Sequence, residues 1–158
     1  MPTIVTSRVA DTIDALIAAL NASPIFADPV RVFDGPGNGD QGWADAVFVG
    51  FDGDYAGSYE AANLIHTMTF QVREYEEVVI TGAIVSWSGD IVPKSCRDRA
   101  VALLAGLDSI IRTDPTLGLT TDVIANLDTG IMFQEPFADG HACRITFTVN
   151  VKTYLMLS

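Results

Sequence analysis

A chain of 158 residues can form one domain that buries roughly 68 to 70% of its unfolded surface, so it needs neither a disulfide framework nor a metal to stay folded. Twenty acidic residues against nine basic ones give a net charge of −11, a surface that repels phosphate backbones and excludes ordinary DNA or RNA readout. Charged residues make up only 18% of the chain, below the roughly 25% of an average soluble domain, and 49% are hydrophobic, which implies that other subunits cover part of the apolar surface.

Cys96 and Cys143 are too sparse for a disulfide scaffold and form no Cys-x-x-Cys pair, so both read as small core residues. Met1 to Arg8 lacks a basic segment followed by an apolar one, and no apolar stretch approaches the ~20 residues that span a bilayer. The expectation is a chain made and kept in solution, without a membrane partner.

In chain order, Val9, Ile13, Leu16, Ile17 and Leu20 form one stripe of a helix, with Ser7 as its N-cap and a stop near Asn21 before Ser23-Pro24. The period then changes from 3.6 to 2. Val30 to Phe33 and the almost wholly apolar Ala46 to Phe51 read as strands. His66, Met68, Phe70 and Val72 alternate with polar residues as a third, and Val78 to Trp87 is a fourth. A second helix runs from about Pro93 to Arg112 on a stripe of Cys96, Ala100, Leu103, Leu104, Leu107 and Ile111, and ends before Asp114-Pro115. Val123 to Leu127, Ile131 to Phe137 and a long strand with Cys143, Ile145, Phe147, Val149 and Val151 on one face complete the chain. Asp139-Gly140 makes the last two a hairpin.

Helix, four strands, helix and two or three strands joined by short turns predict a single α+β domain over residues 1–158. Its sheet is mainly antiparallel, with both helices packed on one face. The long irregular stretches, Asp34 to Asp45, Asp52 to Asn63 and Thr113 to Asp122, are where function or mobility is expected. Ala46 to Phe51 and Val78 to Val85 carry more apolar surface than one sheet covers on both faces, a motive for self-association.

The candidate chemistry is sparse. Gly37-Asn-Gly-Asp-Gln-Gly42 matches G-x-G-x-x-G after a strand, but Trp43 to Ala46 leads into another strand, where a dinucleotide site requires a helix N-terminus. Asp52, Asp54 and Gly57 fit positions 1, 3 and 6 of a calcium loop, with Ser58 and Glu60 at 7 and 9. Ala56 and Asn63 replace the ligands at positions 5 and 12, so a solvated acidic turn is the better reading.

His66 on an apolar strand face, and His141 beside a Cys143 that faces the core, take structural roles. Ser86 and Ser88 lack the G-x-S-x-G frame of a nucleophile elbow and mark a strand end. No catalytic, metal or cofactor residue is therefore expected. Lys94, Arg97 and Arg99 put positive charge in the first turns of the second helix, where the macrodipole disfavours it. That points either to an anionic neighbour or to local pairing with Asp90 and Asp98.

Taken together, the segments resemble tail terminator proteins of long-tailed phages, in particular those of actinobacteria. The carrying residues are the helix to Leu20, Val32-Phe-Asp-Gly-Pro36, Val47-Phe-Val-Gly50, Ser86-Trp-Ser-Gly-Asp90, Arg97-Asp-Arg-Ala-Val-Ala-Leu-Leu104 with Leu107, Arg112-Thr-Asp-Pro-Thr-Leu-Gly118, Gly140 and Arg144-Ile-Thr-Phe-Thr-Val149. The Asp52 to Asn63 segment is longer than that pattern.

The resemblance implies a structural virion protein, a homohexameric ring at the head-proximal end of the tail, assembled in the host cytoplasm. The ring would cap the tail tube protein, meet the head-tail connector protein and let DNA pass through its lumen. Asp52, Asp54, Tyr55, Tyr59, Lys94, Arg97 and Arg99 then become candidate contacts with a neighbouring subunit or the tube. The alternatives are another neck or tail-completion protein, or a small α+β ligand-binding domain or enzyme with a pocket between sheet and helices.

Overall fold

The spine of the molecule is a pair of long antiparallel strands, β5 (Val72–Ser88) and β8 (Gly140–Tyr154), in register from Tyr75 opposite Tyr154 to Ser88 opposite His141. The computed structural model describes residues 3–37, 43–69, 72–120, 122–128 and 130–157. Each spine strand is long enough to carry two shorter strands end to end on its outer side. β3 (Asp45–Val49) and β4 (Ala62–Thr69) lie along β5, while β6 (Ile124–Asp128) and β7 (Met132–Phe137) lie along β8. β2 (Arg31–Asp34) pairs parallel with β3, and every other pairing is antiparallel. β1 (Thr3–Ile4) and β9 (Met156–Leu157) make a separate two-stranded clasp between the chain ends.

Both helices lie on one face of this mixed sheet, the α+β layer that the pattern predicts. α1 (Val9–Ala22) buries Thr12, Leu16 and Leu20, and α2 (Lys94–Thr113) buries Cys96, Ala100, Leu103, Gly106, Leu107 and Ile111. They pack on the alternate residues Val47 and Val49 of β3, Val78, Ile80 and Ile84 of β5, and Cys143 to Val151 of β8. Leu107 is fully buried at the centre of this layer, and its truncation to alanine costs roughly 2–5 kcal/mol. Among the described residues, no helix is long and apolar enough to cross a membrane.

Three features differ from the sequence reading. The N-cap position of α1 is Arg8: Ser7 Oγ still accepts from Val9 N at 3.1 Å, but the backbone N–H of Arg8 is drawn to Glu76 Oε1 at 2.8 Å. The alternating run from His66 to Val72 is two strands, because β4 ends at Thr69 and β5 begins at Val72, opposite Thr69. Alternation identifies a half-buried strand only where a core lies beneath it, and Leu64 and Ile65, adjacent in sequence, are both exposed on this arm. Finally, Ala46 to Val49 is buried on both faces within one chain, by α1 and α2 on one side and an aromatic cluster on the other. That run therefore does not by itself demand a neighbour.

Candidate functional site

The face of the sheet away from the helices carries a second, smaller core of Ala46, Phe48, Phe51 and Ala83, flanked by Phe33, Trp43 and Val85. Its roof is the loop after β3. Gly50 turns the chain at φ 84°, and fully buried Phe51 drops onto Phe48 with ring centroids 5.4 Å apart. Asp52 Oδ1 accepts from Asp54 N at 2.9 Å and Asp54 Oδ1 from Ala56 N at 3.0 Å, so two consecutive Asx turns shape the loop. Both carboxylates thus hold the backbone of the segment that resembled a calcium loop. Among the described residues no three His, Cys, Asp or Glu side chains converge as a metal site.

Tyr55 and Tyr59 sit on Phe51 at centroid distances of 4.8 and 5.4 Å. The Tyr55 hydroxyl donates to Pro36 O at 2.9 Å, and that of Tyr59 to Tyr55 O at 2.8 Å. Partial burial, and to a lesser extent the neighbouring Tyr59, push the Tyr55 phenol above its ordinary range. Both rings remain half exposed, at 53% and 49%, and offer an aromatic rim to any partner.

Arg144 pins this loop to the sheet. Its Nη1 donates to Asp52 O at 2.9 Å, its Nε lies 3.6 Å from Glu135 Oε1, and its guanidinium stands over the Phe133 ring. Gly53 is required beneath it, since φ is 81° and a Cβ would come within 2.6 Å of Arg144 Cδ.

Beside Arg144 opens a cleft of about 550 Å³ lined by Trp43, Phe48, Tyr55, Trp87, Glu135, Phe137 and Asp139, with Ala44 and Ala142 among its smaller residues. Its shape follows from side-chain size. Across the ladder Ala142 stands between Trp87 and Glu135, so a small residue is flanked by large ones. On the other side of Arg144 lies a shallower hollow of about 360 Å³ that includes Asp52, Asp54, Ile131, Phe133 and Thr146.

The basic cluster divides into three separate arrangements. Lys94 pairs with Asp98 one turn on, at 2.6 Å and largely in solvent, and that bond leads the causes that hold the Asp98 carboxyl below its ordinary value. Arg99 is structural: it reaches Asp45 Oδ1 at 3.1 Å, Ser95 Oγ at 3.1 Å and the carbonyl of Trp87, tying α2 to β3 and the end of β5. Arg97 meets only a neutral acceptor among the described residues, Gln134 Oε1 at 3.1 Å. Among the described residues Asp90 takes no part in an ion pair; its N–H bonds Ser88 Oγ, and its carbonyl accepts from His141 Nδ1 at 3.1 Å.

Cys96 and Cys143 are both fully buried, and burial raises the Cys143 thiol above its usual value, which disfavours the nucleophilic thiolate. Ser86 is buried, and β5 ends at Ser88. Of the Gly37 to Gly42 motif, residues 38–42 lie outside the described residues.

One polar feature escaped the sequence reading. Glu76 is wholly buried, and its two carboxylate oxygens receive Arg8 N at 2.8 Å and His66 Nε2 at 2.7 Å from the adjoining strand. Its signal was period two carried back from Ile80 and Val78, which puts residue 76 on the core side.

The sheet's two margins are the remaining candidate surface. No described strand pairs with the outer side of β2 or β4 on one margin, or of β6 or β7 on the other. The β4 margin exposes Leu64 and Ile65, while Ile131 and β7 expose Met132, Phe133 and Phe137. Thr146 N donates to Ile131 O, so odd-numbered backbone groups of β7 face β8, and those of Met132, Gln134 and Pro136 face outward. Compared with protein-family models and with curated proteins, the sequence matches none.

Proposed function

We propose that the chain is a structural assembly subunit, a tail-terminator-like protein that rings the end of a phage tail tube and meets the head connector. The observation that carries this reading is the pair of open margins with large apolar residues on each. β7 and β6 run antiparallel to β8, and β4 and β3 antiparallel to β5, so strands on the two margins point in opposite directions. Copies standing side by side in one orientation therefore bring antiparallel edges together, the favourable pairing, and repeated head-to-tail contact of this kind forms a ring when the rotation between copies closes. The net charge of −11 suits a lumen through which DNA slides without adhering. Arg97, Tyr55 and Tyr59 supply rim contacts. A different neck or tail-completion protein would use the same margins.

The test is deletion in the phage. Loss of a terminator leaves DNA-filled heads unjoined and tails of abnormal length, and purified protein mixed with its tube caps the ends as rings in negative stain. Normal-length, joined tails after deletion, or a protein that stays monomeric both alone and with the tube, would sink the reading. The cleft beside Arg144 favours a second reading, a ligand-binding domain or small enzyme, which such an outcome would promote.

A further inference from the structure

Trp43, Phe48, Tyr55, Trp87 and Phe137 line the cleft, and among the described residues its charged residues are Glu135, Asp139 and Arg144. The Arg144 guanidinium is already committed to Asp52 O, to Glu135 and to the face of Phe133, and its side chain is only 13% exposed. The Asp139 carboxylate, on the exposed turn between β7 and β8, has no partner among the described residues.

Five aromatic residues with the Asp139 carboxylate, which unlike Glu135 is not paired with Arg144, match the demands of a positively charged organic group. Ring faces attract a cation by their quadrupole, and the Asp139 carboxylate balances the charge that leaves water. An anion would face the Asp139 carboxylate, and an Arg144 already paired with Glu135, on a protein of net charge −11. A neutral apolar ligand would strip water from that carboxylate without replacing it. We propose that this cleft binds an organic cation, the guanidinium or ammonium head of a basic side chain or a quaternary ammonium. The assignment holds whether or not the chain caps a tube.

The chain's only two tryptophans both line the cleft, so its intrinsic fluorescence reports occupancy directly. Titration of the whole chain with N-acetylarginine amide gives a saturable change, and the uncharged N-acetylcitrulline amide binds at least roughly fivefold more weakly. Choline against its neutral carbon isostere 3,3-dimethylbutanol forms the second arm. A stronger response to the arginine compound assigns the cation to a polypeptide side chain, and a stronger response to choline to a quaternary ammonium; either supports the proposal. Asp139→Asn, on an exposed turn that leaves the core untouched, weakens binding roughly fivefold with unchanged circular dichroism. The proposal is overturned if neither cation alters the emission, if the neutral isosteres act as strongly, or if Asp139→Asn and Glu135→Gln both bind as the parent does.

Discussion

Gly82 stands directly opposite Phe147 in the β5–β8 ladder, and the Phe147 ring occupies the space that a side chain at position 82 would need. The close fit lets a fully buried phenylalanine lie across the centre of the sheet. Gly82→Ala should therefore destabilise by about 3 kcal/mol through overpacking, read as a lower urea midpoint. Phe147→Leu in the same chain should restore part of the loss, but not all, because the new Cβ would also press on Phe48 O at 2.8 Å. Unaltered stability of Gly82→Ala would contradict the account.

Arg99 and Lys94 sit five residues apart on one helix but should respond very differently to truncation. Lys94→Ala removes an exposed one-turn ion pair and should leave the melting temperature essentially unchanged. Arg99→Ala cuts α2 from Asp45 and the Trp87 carbonyl and should cost about 1.5 kcal/mol. Thermal unfolding of both variants decides it, and equal effects would refute the division. If the proposed ring forms, Arg97→Glu should impair its assembly more than Lys94→Glu, since Arg97 forms no ion pair among the described residues whereas Lys94 is paired with Asp98.

The turn after α2 should confer sensitivity to acid. Asp114 accepts from Thr116 Oγ1 at 2.6 Å and from the N–H groups of Thr116 and Gly118, and these bonds, the side-chain one first, hold its carboxyl below the ordinary value of 3.8. A carboxyl depressed in the folded state adds stability that is complete above its unfolded value and disappears as pH falls through the folded one. Asp114→Asn should thus lower the melting temperature at pH 7, and the gap to the parent should close below pH ~4. A gap that stays constant down to pH ~2 would show the bonds to be indifferent to charge.

Glu76→Ala should be among the costliest polar substitutions, at about 3 kcal/mol, because it strands the Arg8 N–H and leaves a gap beneath His66. His66→Ala, on the more open side of the same contact, should cost less than half as much. Denaturant titrations of the two variants would reverse this order if the carboxylate were dispensable.

The helices and the β7–β8 hairpin were legible because their signals are local: stripes of Leu and Ile at helical spacing, and a turn residue between two runs. Phe137 opposite Gly140 is where Asp139-Gly140 pointed. What was not legible depended on distant chain segments. Arg73 to Glu77 reads as a polar stretch, yet β8 and the start of α1 turn it into strand with a buried carboxylate. Tyr55 and Tyr59 could be proposed as contacts, but their packing on Phe51 exists only once the loop folds back over β3. The cleft lies further still from any motif, since it arises where Trp87, Ala142 and Glu135 fall into one row across three strands.

β5 is 17 residues long and passes unbroken from the tip of the β4 arm to the turn that launches α2. At about 3.3 Å per residue, the strand spans roughly 50 Å. One stretch of backbone thus joins the partners of the exposed Leu64 and Ile65, Val78 and Glu77, to Trp87 at the wall of the cleft.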